Sequence, residues 1–205
     1  GNFLDFMAAK KDGQPFCFWY GAHEPHRAYE FGVGAKNGKK PEDVKVPPFL
    51  PDNEVVRKDI LDYAYEIEWY DMHLGNMLDH LEKIGELDNT LIIVTADNGM
   101  PFPYAKANVQ EFGTHVPLVI SIPKGLKGKK VDDPVGLIDL APTLLEFVGS
   151  PHAMITTGKS LMPVLTLEQH PAHRQYVLTG RERHTHARPD NLGYPARAIR
   201  TKEFL

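Results

Sequence analysis

The segment 54–84 constrains the fold of this chain more than any other stretch. Apolar side chains recur in it at spacings of three and four residues, which predicts a long amphipathic helix. Asp52 or Asn53 can cap the start of this helix. Short apolar runs at 16–20 and 91–95 stand on either side of it, and their aromatic or β-branched content predicts buried strands. A helix between two such strands is the unit that builds a parallel sheet.

The alternation of strand and helix continues through the remainder of the chain. The run 117–122 predicts a third strand, and residues 137–148 predict a second helix that ends at Gly149. Residues 176–179 and 196–200 have the composition of later strands. We therefore predict an α/β fold in which helices flank a mostly parallel sheet, with ligands at the carboxyl ends of the strands.

Charge and cysteine content narrow the classes of partner. The formal net charge of -4 lacks the basic surplus that nucleic-acid binding requires. Cys17 is the only cysteine, so the chain has no disulfide framework, and its place in an apolar run predicts a buried core residue. No apolar run approaches the roughly 20 residues of a membrane helix, and the first residues lack the order of a signal peptide. We therefore expect neither a nucleic-acid nor a membrane partner.

Polar side chains follow the first two predicted strands at the point where each strand ends. His23, His26 and Arg27 come after the first strand, and Asp97 and Asn98 come after the second. Because the carboxyl ends of parallel strands meet at one edge of a sheet, these five residues are candidates for a functional site.

Asp97 and Asn98 have the chemistry of metal ligands. A carboxylate and an amide oxygen suit a hard divalent cation such as calcium or magnesium, and Gly99 lets the chain turn behind them. Such ions take about six or more oxygens, so further ligands must come from elsewhere. The alternative for the sequence Asp-Asn-Gly is an ordinary Asx turn.

The histidine pair also has two interpretations. Pro25 lies between His23 and His26 and excludes the helical ligand pair of zinc enzymes. A histidine at a strand end can donate a proton to a leaving oxygen or nitrogen, and Arg27 suits an oxyanion. The alternative is a polar loop whose hydrogen bonds are satisfied within the protein.

Basic residues further along the chain are candidates for contact with an anion. Lys106 lies in the loop after Asp97 and Asn98, where its ammonium group would neutralise an anionic group of a substrate. Arginines and histidines also cluster at 181–188. For both groups the alternative is an ordinary solvated loop.

Several motifs, taken in chain order, carry a family resemblance that covers nearly the whole chain. They are FWYGAHEPHR at 18–27, YEIEWYDMHLG at 65–75, LDNTLIIVTADNG at 87–99, EFGTHVPLVI at 111–120 and LIDLAPTLLEFVG at 137–149. Together they resemble the carboxyl-terminal part of the catalytic region of type I sulfatases, members of the alkaline phosphatase superfamily. The resemblance implies that residues 1–165 belong to the α/β catalytic domain of that superfamily. It also implies that residues 166–205 begin a smaller subdomain, whose strands form a smaller antiparallel sheet.

The resemblance implies roles for the candidate residues. Asp97 and Asn98 would ligate Ca²⁺ or Mg²⁺, His23 would contact the sulfate and the departing group, and Lys106 would hold a sulfate oxygen. The implied substrate is a sulfated saccharide, hydrolysed at a sulfuric ester or an N-sulfate. Contacts on the sugar or sulfate side are implied for His26, Arg27, His184 and His186.

The chain departs from the family pattern in two respects. The motifs at 23–27 and 97–103 resemble the sulfamidase group, but in that group an arginine takes the place of Lys106, whereas many other sulfatases have lysine there. Type I sulfatases also use a formylglycine made from a Cys/Ser-x-Pro-x-Arg motif, and Cys17 is not followed by proline and arginine in that register. We therefore expect the amino-terminal half of the catalytic domain, with the nucleophile and the other metal ligands, to lie outside this chain. We expect the chain alone to be inactive.

Two other functions stay open at this point. A phosphate or phosphonate ester hydrolase of the same superfamily would share the sheet and parts of the metal site. A non-catalytic remnant that binds sulfated glycans would keep the anion contacts alone. For a sulfatase of glycosaminoglycan-derived sugars we expect a periplasmic, secreted or lysosomal location.

Overall fold

The computed structural model describes residues 2–150, 157–183 and 189–204. In these residues the α-helices are α1 (Phe3–Ala9), α2 (Val33–Lys36), α3 (Glu54–Lys83), α4 (Glu111–Thr114), α5 (Leu140–Phe147) and α6 (Met162–Thr166). The strands are β1 (Ile92–Thr95), β2 (Leu118–Ser121), β3 (Val177–Arg181) and β4 (Ala196–Arg200). Short 3₁₀ turns lie at Pro41–Asp43, Leu87–Asn89, Leu137–Asp139 and Pro189–Asn191.

The chain folds as two compact units, Gly1–Asp88 and Asn89–Leu205. The boundary that the sequence places after residue 165 stays a prediction. None of the helices in the described ranges is both long and apolar enough to cross a membrane.

Helix α3 confirms the prediction for segment 54–84. It runs for 30 residues, and the side chain of Asn53 caps it by accepting a hydrogen bond from the backbone N–H of Val56 at 3.0 Å. Gly85 follows the helix with a φ of +74°, a left-handed conformation that favours glycine after a helix end. The predicted cap at the start of the helix is therefore present.

The first unit packs α1 and the segment 16–20 against α3. Phe3 and Met7 of α1 form a buried cluster with Leu81 of α3, and the rings of Phe3 and Phe18 meet edge to face at 5.0 Å. Segment 16–20 is not a strand, contrary to the sequence prediction.

Cys17 is exposed, so its prediction as a core residue was wrong. Segment 16–20 is extended and covered on one side only. Phe16, Phe18 and Tyr20 are half-buried, whereas Cys17 and Trp19 point outward, with Trp19 88% exposed. An unbroken apolar run suggested burial on both faces, but in this unit only alternate side chains find a covering surface.

Asp62 fastens helix α2 to helix α3. Its carboxylate is fully buried and accepts hydrogen bonds from the backbone N–H groups of Gly32 at 2.7 Å and Gly34 at 2.8 Å. A Cβ added at Gly34 would lie 2.4 Å from the carbonyl oxygen of Leu61. Only glycine allows this close approach of the two backbones.

In the second unit β1 and β2 pair in antiparallel orientation, with Ile92 opposite Ser121 and Thr95 opposite Leu118. The sequence predicted a mostly parallel sheet, and this pair is an exception to that pattern. A parallel pair needs a crossover, usually a helix that carries the chain back to the starting end. The connection between β1 and β2 holds only the short helix α4, so the chain returns antiparallel.

Strands β3 and β4 also pair in antiparallel orientation, with Val177 opposite Arg200 and Arg181 opposite Ala196. This pair is the smaller antiparallel sheet that the sequence predicted. Both strands alternate half-buried and exposed residues, as expected for a sheet covered on one face.

The predicted helix at 137–148 forms as a 3₁₀ turn followed by α5. Asp139 lies at the junction and is fully buried. Its carboxylate accepts hydrogen bonds from the N–H groups of Gly136 (3.0 Å) and Lys159 (2.7 Å). His173 Nε2 lies 3.1 Å from it, and the guanidinium of Arg174 pairs with it. Burial opposes ionisation, but these partners outweigh it and lower the pKa of Asp139 to about 2.

Candidate active site

Asp97 and Asn98 follow the carboxyl end of β1, where the sequence predicted a site. The Thr95 hydroxyl at the last position of β1 donates to the carbonyl oxygen of Pro117 at 2.8 Å, which ties the end of β1 to the start of β2. Asp97 is exposed and Asn98 is half-buried. The strand pair thus presents a carboxylate and an amide at an accessible edge.

Gly99 is required at this edge by a close approach of two backbone segments. Its N–H donates to the carbonyl oxygen of Gly113 at 3.0 Å, and an added Cβ would lie 1.8 Å from the carbonyl oxygen of Phe112. No larger residue fits without moving the backbone. The contact closes the loop 97–113 at its base.

Lys106 lies within this closed loop. Its backbone N–H donates to the carbonyl oxygen of Met100 at 3.0 Å, so the chain returns to a point just beyond Asn98. Phe102 and Ala105 are buried and anchor the loop. The role of Lys106 at an anionic group of a substrate stays a prediction.

The strand pair β3–β4 contacts the same loop, which sequence reasoning missed. The guanidinium of Arg181 on β3 donates to the carbonyl oxygen of Ala107. Arg200 Nη1 on β4 lies 3.5 Å from the carboxylate of Glu111, and His115 Nδ1 lies 2.5 Å from the same carboxylate. No local pattern in the sequence signals contacts between segments this far apart.

His23, His26 and Arg27 lie in the first unit, in a tight turn. The backbone N–H of His26 donates to the carbonyl oxygen of His23 at 2.7 Å, the Glu24–Pro25 peptide bond is cis, and both histidines are exposed. His26 Nδ1 lies 2.9 Å from the Arg27 carbonyl oxygen.

Arg27 binds the carboxylate of Asp59 on α3 with both terminal nitrogens. The side-chain hydrogen bond to Asp59 raises the pKa of Arg27 above its usual range. Tyr29 lies beside this pair, with its ring centroid 5.5 Å from the guanidinium carbon. The sequence assigned Arg27 to substrate contact; that role stays a prediction, and the structure adds an intramolecular one.

An acidic and aromatic group adjoins the turn that holds His23. The rings of Tyr20 and Tyr70 stack at 5.5 Å. Burial, followed by the charges of Glu24 and Asp62, raises the pKa of Glu66. Burial, followed by the charges of Glu24 and Tyr70, also raises the pKa of Tyr20. These residues gave no sequence signal because their clustering arises from the packing of segment 16–24 on α3.

The oxygen atoms available as metal ligands at the end of β1 suit a hard cation, but they are few. Asp97 and Asn98 supply one carboxylate and one amide oxygen, which fit calcium or magnesium in kind. In the described parts of the chain, no group of three or more His, Cys, Asp or Glu residues could hold a metal ion. His184 and His186, predicted as substrate contacts, lie outside the described residues.

A family model described as "Sulfatase" matches residues 2–150. N-sulphoglucosamine sulphohydrolase of Homo sapiens is 30% identical over 226 residues, which cover 95% of this chain and 44% of that protein. The chain thus spans less than half the length of this relative.

Two solved structures extend the comparison. A phosphonate monoester hydrolase from Silicibacter pomeroyi matches with a TM-score of 0.57 and 30% identity, covering 78% of this chain and 33% of that one. A structure solved in complex with its substrate D-glucosamine-2-N,6-O-disulfate matches with a TM-score of 0.53 and 28% identity, covering 74% of this chain and 32% of that one. These likenesses confirm the predicted α/β fold class, and the chain forms part of a domain of that class.

Proposed function

Because the chain belongs to the sulfatase family, we propose that the protein hydrolyses a sulfuric ester or N-sulfate of a sulfated saccharide. The observation that carries this proposal is the closed loop after β1. It places Asp97 and Asn98 at a strand end and brings the backbone of Lys106 back to Met100. A carboxylate and an amide would suit a cation, and that cation together with a lysine of the same loop would suit an anionic group such as sulfate.

In the proposed mechanism the residues of this chain bind and orient the sulfate group. Asp97 and Asn98 would hold Ca²⁺, or Mg²⁺, which when bound supplies positive charge to the sulfate oxygens. Lys106 would bind a sulfate oxygen through its ammonium group. His23 would hold the proton that the leaving oxygen or nitrogen takes up. The family resemblance implies that a formylglycine acts as the nucleophile and is encoded outside this chain.

We propose a sulfated amino sugar derived from a glycosaminoglycan as the substrate. Two relatives support this choice: one is named for N-sulphoglucosamine, and another was solved with D-glucosamine-2-N,6-O-disulfate. His26, Arg27, His184 and His186 are the proposed contacts on the sugar or sulfate side. A periplasmic, secreted or lysosomal location is part of the same proposal.

A second candidate function is hydrolysis of a phosphonate or phosphate ester. The likeness to a phosphonate monoester hydrolase, at 30% identity, favours it. Both reactions begin from a tetrahedral anionic group, sulfate or phosphonate, whose oxygens a cation and a lysine would neutralise, so the residues of this chain would serve either one.

A substrate panel tests the proposal. The complete protein, carrying its formylglycine and loaded with calcium, is offered N-sulfated glucosamine, glucosamine 6-sulfate and a phenyl phosphonate monoester. Release of sulfate with the highest kcat/KM supports a sulfatase. Faster hydrolysis of the phosphonate favours the second candidate, and binding of sulfated sugar without turnover of any substrate would mean a non-catalytic binding protein.

A further inference from the structure

We propose that Arg181 is a positioning residue for Lys106, and this inference rests on the proposed role of Lys106 in binding sulfate. The guanidinium of Arg181 donates to the carbonyl oxygen of Ala107, the residue that follows Lys106. Arg181 would therefore act through the loop backbone and would not touch the substrate itself.

The register of the β3–β4 pair directs Arg181 toward the loop. Arg181 lies opposite Ala196, and Arg200 lies opposite Val177. Directly opposed residues share a face of a sheet, as do alternate residues of one strand. Arg181 and Arg200 therefore project from the same half-buried face, one near each end of the pair, whereas Arg197 lies on the exposed face.

The conformation of Ala107 explains why the loop needs an external partner. Ala107 has a φ of +66° and Tyr104 a φ of +61°, a left-handed conformation that is unfavourable for residues other than glycine. Such residues persist only where surrounding contacts hold them. The hydrogen bond from Arg181 to Ala107 holds the chain at this position. Beside it, the side-chain amide of Asn108 donates to the carbonyl oxygen of Lys106 at 3.3 Å.

A second contact from the same face reaches the same loop. Arg200 lies 3.5 Å from Glu111 in α4, two residues before Gly113, where the loop closes onto Gly99. The side chains of this ion pair are 34% and 38% exposed. Because solvent screens such a pair, it contributes little to stability by itself. The inference therefore rests on Arg181.

Three variants of the complete protein test the inference. Arg181→Met removes the donors, Arg181→Lys keeps the charge and a single ammonium group, and Arg197→Met is the matched control on the opposite face of the same strand pair. Amide hydrogen exchange is measured at Lys106 and Asn108, whose N–H groups are bonded within the loop. The kcat/KM for N-sulfated glucosamine is measured in the wild-type and in the Lys106→Met background.

We expect exchange at Lys106 and Asn108 to be about tenfold faster in Arg181→Met, partly restored in Arg181→Lys and unchanged in Arg197→Met. We expect Arg181→Met to lower kcat/KM by about tenfold or more, and by less than about twofold when Lys106 is already methionine.

Unchanged exchange in Arg181→Met overturns the inference, and so does an equal loss of kcat/KM in both backgrounds. If the wild-type protein hydrolyses no sulfated sugar, the proposed function fails. In that case the exchange measurement, which needs no substrate, still decides whether Arg181 orders the loop of Lys106.

Discussion

Arg27 and Asp59 form a two-point ion pair, in which each terminal guanidinium nitrogen donates to a different carboxylate oxygen at 2.7 Å. This geometry is specific to arginine, because a lysine offers one charged group without the planar fork. The pair joins the turn that holds His23 and His26 to helix α3.

Arg27→Lys and Asp59→Asn should each lower the free energy of unfolding by about 1 kcal/mol, since the pair is partly exposed and screened by solvent. Urea unfolding of the complete protein measures the loss. Lys58→Met, which removes an ion pair with the exposed Glu54 on the same helix, is the control and should change little. If Asp59→Asn leaves stability unchanged, the pair does not hold the histidine turn.

Replacing Asp139 should be far more damaging. Asp139→Asn leaves Arg174 without its buried anion and should lower the free energy of unfolding by about 3 kcal/mol. Asp132→Asn is the matched control, because Asp132 is exposed and forms an exposed ion pair with Lys130 at 3.3 Å. Chemical denaturation of both variants measures the contrast, and a similar stability for the two would contradict a structural role for Asp139.

The depressed pKa of Asp139 predicts a loss of stability in acid. The folded-state pKa of about 2 lies below the ordinary value of 3.8, so the stabilisation is fully present above pH 4 and disappears as the pH falls through about 2. Its size is about 2 kcal/mol by linkage. Unfolding free energies measured between pH 5 and 2 should fall less steeply in Asp139→Asn than in the wild type. Parallel slopes would exclude this carboxylate as the cause.

Two glycine substitutions should act in opposite directions. Gly99→Ala places a Cβ against the carbonyl oxygen of Phe112, so it should distort the loop of Lys106 and lower both stability and activity. Gly75→Ala lies inside α3 with no atom within 4 Å of the added Cβ and should raise the free energy of unfolding by about 0.5 to 1 kcal/mol. Thermal unfolding and kcat/KM test both; a neutral Gly99→Ala would mean that the loop base is loosely packed.

Asp97→Ala should abolish calcium-dependent activity in the complete protein. Loss of groups that only support a metal ligand lowers affinity by roughly 10- to 100-fold, so loss of a direct ligand should exceed that. Activity titrated with calcium after chelation measures the effect, with Asp132→Ala as the exposed control in the same unit. Near-normal turnover of Asp97→Ala would reject the metal assignment.

Sequence patterns predicted the helices and strands of this fold better than the way in which these elements pack and pair. The helix at 54–84, its Asn53 cap and the strands near 177 and 196 follow from local spacing and local chemistry. Cys17 was misplaced because an apolar run reports a tendency to avoid water and does not tell which faces are covered. The antiparallel β1–β2 pair was missed because strand composition does not encode direction.

In the candidate site, too, local sequence signals some residues, whereas contacts between distant segments leave no such signal. Asp97 and Asn98 could be proposed from the sequence because they follow a recognisable strand end, and Lys106 because it lies in the loop after them; their roles stay predictions. Arg181 was visible only as one of several clustered basic residues, and its bond to Ala107 depends on a loop and a strand far apart in the sequence. The partners of Asp139, such as Arg174, are hidden for the same reason.

Helix α3 sets the spacing of the segment 27–34 through two carboxylates. Asp59 holds Arg27, and Asp62, one turn further along, holds the backbone at Gly32 and Gly34. Three helical residues rise by about 4.5 Å, so the chain between these anchors has a nearly fixed length. Insertions and deletions in related proteins should therefore be rare between Arg27 and Gly34, and should accumulate in 37–51, where the chain runs from α2 to α3.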